Sequence, residues 1–324
     1  MSLHKTFAAA LTLSLGLTFG ADFPAQAQDY PTRPIRLILG PSPEATPRYI
    51  AERLQKELGQ AIVVEPRLGA GGDIAAKAVS SADADGYTLL YASSNFSLAT
   101  AMQLGSFDFA RDFEPIALVG TSAYVLVVNP QVPAKTPQEL IALAKAKPGE
   151  LNCASSGMAT PGHLSCEMLK SMAGIDIVHV PFRNAGAAMN GLVSGQVQLG
   201  VTVSTAARGQ IEAGAIRGLA VTTAEPSPLV AGLPALQTVL PGFIVQGWGS
   251  IVAPKGTPKP IIENLNAAVM RVTQDPEVKA KLFSFGLAAA DSHSPEQFGV
   301  FIRSEIDRWN RTIDLAKVPR GKPM

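Results

Sequence analysis

IRLILGPSPEATPRYIAERLQKELGQAIVVE, residues 35–65, decides the fold class. A short apolar strand opens the segment, a helix with apolar positions at Ile50, Leu54 and Leu58 follows, and a second apolar strand closes it. Gly59 ends the helix, as glycine commonly does. Nearly continuous apolar strands that alternate with amphipathic helices predict a parallel sheet covered by helices on both faces. The fold class is therefore α/β.

The same alternation continues along the chain and predicts two lobes. In each lobe we expect a mostly parallel sheet covered by helices, with a cleft at the hinge between them. The first lobe would comprise residues 28–126 and 250–324, and the second lobe residues 127–249. Clefts between lobes and at the carboxyl ends of parallel strands are the usual ligand sites. Further strands are predicted at 87–91, 125–128, 151–154, 177–180, 197–203, 219–221 and 251–254, and further helices at 136–149, 162–172, 187–193, 259–273, 276–285 and 295–316.

Residues 1–27 have the pattern of a secretory signal peptide. Lys5 precedes an apolar run, and Ala25 and Ala27 form an A-x-A cleavage site before Gln28. The apolar run is too short to span a bilayer, which takes roughly 20 residues. We therefore expect an exported mature chain that begins at Gln28.

Composition excludes several classes of protein. The apolar content of 47% and charged content of 16% suit a chain that buries a large core and argue against disorder. A net charge of +1 provides no electrostatic surface for nucleic acid or an anionic membrane. We expect no nucleic-acid partner.

The only cysteines are Cys153 and Cys166. Export permits a disulfide between them. Cys153 falls at a strand end and Cys166 one turn into the next helix, a placement that allows a bond without favouring one. The expectation is two buried free thiols.

Three loops combine small residues with the start of a helix, namely Gly69-Ala70-Gly71-Gly72, Ser93-Ser94-Asn95 and residues 155–162. Free N–H groups at a helix N-terminus bind carboxylate or phosphate without any Lys or Arg, and Ser and Thr hydroxyls add donors that rotate to suit. A single loop of this kind is usually an ordinary turn or cap. Three of them at one cleft indicate an anion site. The first loop is not a phosphate loop, because no Lys-Ser/Thr follows it.

Signals for catalysis are few. His163, at a helix start, suits a ligand contact and a structural role equally, whereas His179, inside an apolar strand, is interpreted as a satisfied core residue. The sequence contains no G-x-S-x-G elbow and no His pair with zinc spacing. Ser155 or Cys153 could act as a nucleophile with His163, but nothing supplies the third, orienting group. We expect a protein that is not an enzyme and that uses no cofactor or metal.

Motifs ordered along most of the chain resemble one family. Residues 30–37 (YPTRPIRL) resemble its mature N-terminus, and residues 65–72 (EPRLGAGG) resemble its ENRPGAGG segment. Further matching segments are 85–90, 151–157, 162–164, 178–182, 220–222, 253–258 and 295–298. The family is that of the Bug-type substrate-binding proteins of tripartite tricarboxylate transporters. The resemblance implies a type II periplasmic binding fold in the periplasm that captures a small carboxylate between two lobes and delivers it to a membrane permease.

Carried over by position, the resemblance implies ligand-binding residues in both lobes. In the first lobe they are Pro41, Ser42, Pro43, Glu44, Gly71, Gly72, Ser93, Ser94 and Asn95. In the second lobe they are Ser155, Ser156, Gly157, Thr160, His163, Phe182, Arg183, Asn184 and Thr202.

Two departures from the family pattern bear on the cargo. The family's first loop usually reads PFPPGG(S/A)TD, whereas here it is about four residues shorter and lacks the Gly-Gly pair, with Glu44 at the Asp position. Fewer backbone donors then reach the ligand, so a second carboxylate would be held less firmly. Glu44 and Arg48 are also spaced to pair on the helix surface. Thr202 stands where the family often has Asp, so it would repel an anion less and hold an ammonium less well.

The sequence as a whole predicts an exported, monomeric solute-binding protein that closes on a small organic carboxylate. Its expected partner is a membrane permease. One alternative is a binding protein that presents its closed form to a membrane sensor. The other is a hydrolase that uses Ser155 or Cys153 with His163.

Overall fold

The computed structural model describes residues 30–40 and 44–321. The predicted signal peptide and three of the predicted site residues, Pro41, Ser42 and Pro43, lie outside these residues. The strands are β1 (Ile35–Leu39), β2 (Ile62–Pro66), β3 (Thr88–Ser93), β4 (Phe113–Val128), β5 (Asn152–Ser155), β6 (Val178–Pro181), β7 (Leu199–Val203), β8 (Arg217–Val221), β9 (Gln246–Pro254) and β10 (Ala288–Ala289). The helices are α1 (Ala45–Leu58), α2 (Asp73–Ser80), α3 (Ser94–Ala101), α4 (Pro137–Ala146), α5 (Pro161–Ala173), α6 (Ala185–Ser194), α7 (Ser204–Glu212), α8 (Lys259–Gln274), α9 (Pro276–Ser284) and α10 (Pro295–Ala316).

The quoted segment forms the β1–α1–β2 unit that its pattern predicts. Strand β1 pairs in parallel with β2, so that Leu37 lies opposite Val64. Helix α1 buries Ile50 and Leu54, and its C-cap Gly59 adopts a left-handed φ of 67°. That backbone conformation is strained for most other residues, so the sequence ends the helix there.

One mixed sheet runs through the protein in the order β2-β1-β3-β9-β4-β7-β5-β6, and β8 and β10 also pair with β4. On one side β1, β2 and β3 are mutually parallel, and β9 runs antiparallel to β3. On the other side β5, β6 and β7 are mutually parallel, and β7 and β8 run antiparallel to β4. Each half is therefore a parallel set with one strand of opposite direction.

The strand that joins the halves, β4, is 16 residues long. It pairs with β9 from Phe113 to Ala123, and then with β7 from Tyr124 to Val128 and with β8 from Val125 to Val128. The α/β prediction of two lobes is confirmed in this arrangement, with β4 as the strand that pairs in both halves. The prediction for this region covered only residues 125–128 and 251–254 and missed the longer part of both strands.

Three hydrophobic cores formed by the described residues lie on the faces of the sheet. One packs Ile38, Phe96 and Phe298 against the first parallel set. A second packs β4 against α6 and β8 in the other half. The third contains residues of α3, α5 and the C-terminal part of α10, including Trp309. Helix α10 therefore contributes to the cores of both halves.

The two cysteines form a disulfide, which corrects the expectation of free thiols. The bond links β5 to α5, with a Cα–Cα distance of 6.1 Å, and both side chains are fully buried. Helix α5 turns back over β5 after a short loop, which brings residues 13 positions apart within bonding range. The cross-link closes the loop that contains Ser155, Ser156 and Thr160.

No helix in the described part of the chain has the length and apolar character needed to cross a membrane.

Candidate functional site

Two adjoining cavities lie where the two halves of the sheet meet. Cavity 1 has a volume of about 180 Å³ and cavity 2 a volume of about 200 Å³, and both are lined by Asn95, Tyr124 and Val203. Cavity 1 is further lined by Thr46, Tyr91, Ser93, Ser94, Ser122, Thr205, Gly247, Trp248, Gly249, Phe285 and Leu287. Cavity 2 is further lined by Ala154, Ser155, Ser156, Thr160, Pro161, Gly162, Ala185, Ala188, Met189, Leu192, Gly200, Val201 and Thr202.

The carboxyl ends of three strands carry polar residues to these cavities. Ser93 ends β3, Ser155 ends β5, and Thr202 lies one residue before the end of β7. Each strand leads into a helix, so the cavity walls combine strand ends with helix starts, as in other open α/β sheets.

Three helices begin at cavity 1 without a side-chain cap. Thr46, Ser94 and Thr205 lie in the first turns of α1, α3 and α7 and line the cavity. Among the described residues, no side chain caps any of these three starts. Each start therefore retains backbone N–H groups without an intrahelical partner at the positive end of the helix dipole. Cavity 1 is suited to an anion.

The two helices that begin at cavity 2 are capped by the protein itself. Thr160 Oγ1 accepts the N–H of His163 at 3.3 Å, and Asn184 Oδ1 accepts the N–H of Ala187 at 2.9 Å. Pro161, the first residue of α5, has no N–H. Some of the backbone N–H groups at the helix starts of cavity 2 are therefore already hydrogen-bonded, and one is missing.

Buried hydroxyls add donors on the side of cavity 1. Ser93 lines this cavity, and its Oγ is buried without a hydrogen-bond partner within the described residues, an arrangement that is costly unless a ligand or water completes it. Burial raises the pKa of Tyr124 to about 12 and also raises that of Tyr91. Both phenols therefore stay protonated near neutral pH and keep their O–H donors.

A network of neutral imidazoles supports the loop at cavity 2. Ser155 Oγ lies 2.7 Å from His179 Nε2 and 2.9 Å from the carbonyl oxygen of Gly157. His163 Nδ1 accepts the N–H of Ala159 at 3.1 Å, so its proton lies on Nε2. The two imidazole rings lie 4.3 Å apart between centroids. Burial lowers the pKa of both side chains, to about 4 for His179, where the neighbouring His163 lowers it further.

Of the residues that line the two cavities in the described part of the chain, none carries a charge. Glu44, a predicted site residue that directly precedes α1, instead forms an ion pair with Arg48, with 2.6 Å between Glu44 Oε2 and Arg48 Nη2. The helix-surface pairing predicted from their spacing is confirmed. Any anion held in these cavities would be bound by dipoles and hydrogen bonds and not by a cation.

The structure brings some predicted site residues together and leaves others apart. Gly71 and Gly72 precede α2, the ring of Phe182 packs near Gly191 of α6, and Arg183 is exposed. None of these four residues lines either cavity. Those that do line them are Ser93, Ser94, Asn95, Ser155, Ser156, Thr160 and Thr202, whereas Gly157, His163 and Asn184 line neither cavity and form hydrogen bonds within the loops and helix starts.

Sequence reasoning missed the aromatic wall of cavity 1. Tyr91, Tyr124 and Trp248 line it, and Trp248 Nε1 donates to buried Glu305 at 2.9 Å. A signal was present in the glycines that flank Trp248 in β9, because glycine inside a strand often marks close approach of another group. A Cβ on Gly249 would lie 2.1 Å from the hydroxyl of Tyr91.

The pair proposed for the hydrolase alternative does not form. Cys153 is held in the disulfide, and the neighbour of Ser155 is His179 and not His163. His179 has a hydrogen-bond partner, as its interpretation as a satisfied residue required, but it is half-buried beside the loop and does not lie in the core. Its lowered pKa leaves it a weak base at neutral pH. Within the described residues, no cluster of three or more potential metal-ligating side chains occurs.

Two α/β halves joined by the shared strand β4, with an uncharged cleft at their junction, define the class of two-lobe solute-binding proteins. The sequence matches the family described as tripartite tricarboxylate transporter family receptor over residues 46–317. The chain belongs to this family, whose members are substrate-binding proteins.

Individual relatives agree with this assignment. BugT of Bordetella pertussis is 34% identical over 300 residues, which cover 90% of this chain and 92% of BugT. The structure of R. palustris Rpa4515 with adipate is 32% identical, with a TM-score of 0.78 and coverage of 89% of this chain and 99% of that one. MatC from Rhodopseudomonas palustris with bound malate is 30% identical, with a TM-score of 0.74 and coverage of 88% and 100%.

Proposed function

We propose that this protein is a periplasmic solute-binding protein that captures a small organic carboxylate in the two cavities and delivers it to a membrane permease. The observation that carries the proposal is the convergence of three uncapped helix starts on cavity 1. A carboxylate there would accept hydrogen bonds from backbone N–H groups of α3 and α7 and from the unpaired hydroxyl of Ser93. The solved relatives with adipate and malate support a carboxylate cargo.

The proposed site residues follow from this placement. Ser93, Ser94 and Asn95 would contact the carboxylate, and Ser155, Ser156, Thr160 and Thr202 would contact the rest of the cargo. Gly157, His163 and Asn184 would hold the loop and helix starts in place. The lobes, taken as residues 28–126 with 250–324 and residues 127–249, would close on the cargo, provided that the ligand binds the closed state better than the open one.

A thermal-shift screen tests the proposal. The mature chain from Gln28 would be unfolded and refolded to remove co-purified ligand, then heated with a panel of mono-, di- and tricarboxylates. A ligand at about 100 times its Kd adds roughly 2.7 kcal/mol to the stability, so binding should appear as a clear rise in Tm. If no carboxylate in the panel raises Tm, the proposal fails.

A Ser94→Pro variant provides a site-specific control. Proline removes the N–H of the first residue of α3, and proline is tolerated at that helical position. The variant should fold, yet bind the best carboxylate more weakly than the wild type. Unchanged affinity would show that the anion does not bind at α3.

A further inference from the structure

The two cavities differ in what they offer a charged group. Cavity 1 has three uncapped helix starts and the orphaned hydroxyl of Ser93. Cavity 2 shares Asn95 and Val203 with cavity 1, and the two helices that begin only at cavity 2 have donors partly used by Thr160 and Asn184. The attraction for an anion is therefore concentrated at one end of the cleft.

Acceptor atoms also occupy the surroundings of cavity 2. Thr160 Oγ1 and Asn184 Oδ1 sit as caps in front of α5 and α6, and the carbonyl oxygen of Gly157 accepts from both Ser155 and Thr160. Of these residues Thr160 lines the cavity, and its capping oxygen places partial negative charge at the start of α5, where it opposes a second carboxylate. No Lys, Arg or His among the described residues lines this cavity to compensate one.

The floor of cavity 2 is apolar. Ala188, Met189 and Leu192 of α6 line it together with Val201 of β7, and all four are buried. Burying a carboxylate against such a surface without a paired charge is costly. The same surface favours methylene groups or a ring, because apolar area is removed from water on both sides.

An ammonium on the cargo finds no partner either. Glu44 is the acid that could have faced one, and it is joined to Arg48 on the surface of α1. No Asp or Glu lines either cavity in the described residues.

We infer that the cargo is a monocarboxylate with an uncharged, largely apolar body, bound with its carboxylate in cavity 1 and its body in cavity 2. The inference rests on the proposed function and narrows it. It sets this chain apart from solved relatives whose bound ligands, adipate and malate, carry two carboxyl groups.

Hexanoate and adipate are a matched pair for the test, because they share a six-carbon chain and differ in one terminal carboxylate. Isothermal titration of the refolded mature protein should give hexanoate a Kd at least about tenfold lower than that of adipate. Adipate binding as tightly as hexanoate, or more tightly, overturns the inference and leaves the proposed function intact. Failure of both acids and of every other carboxylate in the thermal-shift panel overturns both.

A charge introduced into cavity 2 tests the cause of the preference. Thr202 lines the cavity and is partly exposed, so Thr202→Lys can place an ammonium there. The adipate-to-hexanoate affinity ratio should rise at least about tenfold in this variant. Thr202→Met controls for side-chain size and should leave the ratio low. An equal rise of this ratio in both variants contradicts the electrostatic argument. If neither variant folds, the wild-type affinities for hexanoate and adipate alone decide whether the inference holds.

Discussion

Gly286 makes a close approach to helix α7 at the edge of cavity 1. Its neighbours Phe285 and Leu287 line that cavity, and so does Thr205 in the first turn of α7. A Cβ built on Gly286 would lie 2.0 Å from Thr205 Cγ2 and 3.4 Å from Thr205 Cβ. The φ of Gly286 is 78°, which disfavours any residue with a Cβ.

The substitution Gly286→Ala should therefore act through two separable effects. The left-handed backbone costs roughly 1–2 kcal/mol, and the overlap with Thr205 adds about 1–3 kcal/mol as the neighbouring side chain and backbone shift. Gly232→Ala is the matched control, because Gly232 has a φ of 83° and a Cβ there would meet nothing within 4 Å. The control should show the backbone cost alone.

Urea unfolding measures both contributions, and a double variant separates them. Thr205→Ala removes the atom at 2.0 Å, so Gly286→Ala combined with Thr205→Ala should recover most of the overlap cost but none of the backbone cost. Equal free energies of unfolding for Gly286→Ala and Gly232→Ala would refute the close contact. A loss in the double variant as large as the sum of the single losses would refute its assignment to Thr205.

Three further predictions concern the disulfide, the imidazoles and a buried acid. Replacing Cys153 and Cys166 by alanine should lower the free energy of unfolding by about 3 kcal/mol, because the bond closes a loop of 13 residues; an unchanged urea midpoint would contradict this. The pKa of His179 is about 4 in the folded protein and about 6.5 in the unfolded chain, which therefore binds more protons between these values, so stability should fall as pH drops through that window. His179→Gln should flatten that part of the urea-midpoint profile, and an equally steep profile would assign the loss to other groups. Glu305→Ala leaves the indole N–H of Trp248 and a neighbouring arginine unpaired in a buried site and should cost about 3–5 kcal/mol by fluorescence-monitored unfolding, whereas a cost under about 1 kcal/mol would show that the pair relaxes freely.

Local elements were predictable where hydrophobic period and caps agree. The strand at residues 35–39, the helix at 259–273 and the helix at 295–316 match β1, α8 and α10 to within a residue at each end. Strand β4 was not predictable in full, because Pro115 and Gly120 interrupt its apolar run. Pairing with β9 keeps this stretch extended, and the local sequence pattern of β4 cannot reveal a pairing with a strand more than 100 residues away.

The lining of the cavities was partly predictable. Polar residues at strand ends, such as Ser93 and Ser155, could be identified because parallel strands bring their carboxyl ends to one edge. Tyr124 and Thr205 could not, because only the packing of the two halves decides which side of a strand or helix start meets the other half.

The sequence by itself determined the α/β class, the order of the elements and two of the three loops predicted at the cleft, since these depend on periodicity and turn chemistry within short stretches. Only the tertiary structure decided that the cysteines bond, that Ser155 pairs with His179, and which helix starts remain uncapped at cavity 1. Each of these depends on a distance of a few ångströms between groups separated along the chain. The sequence specifies such distances only through the packing of the whole fold.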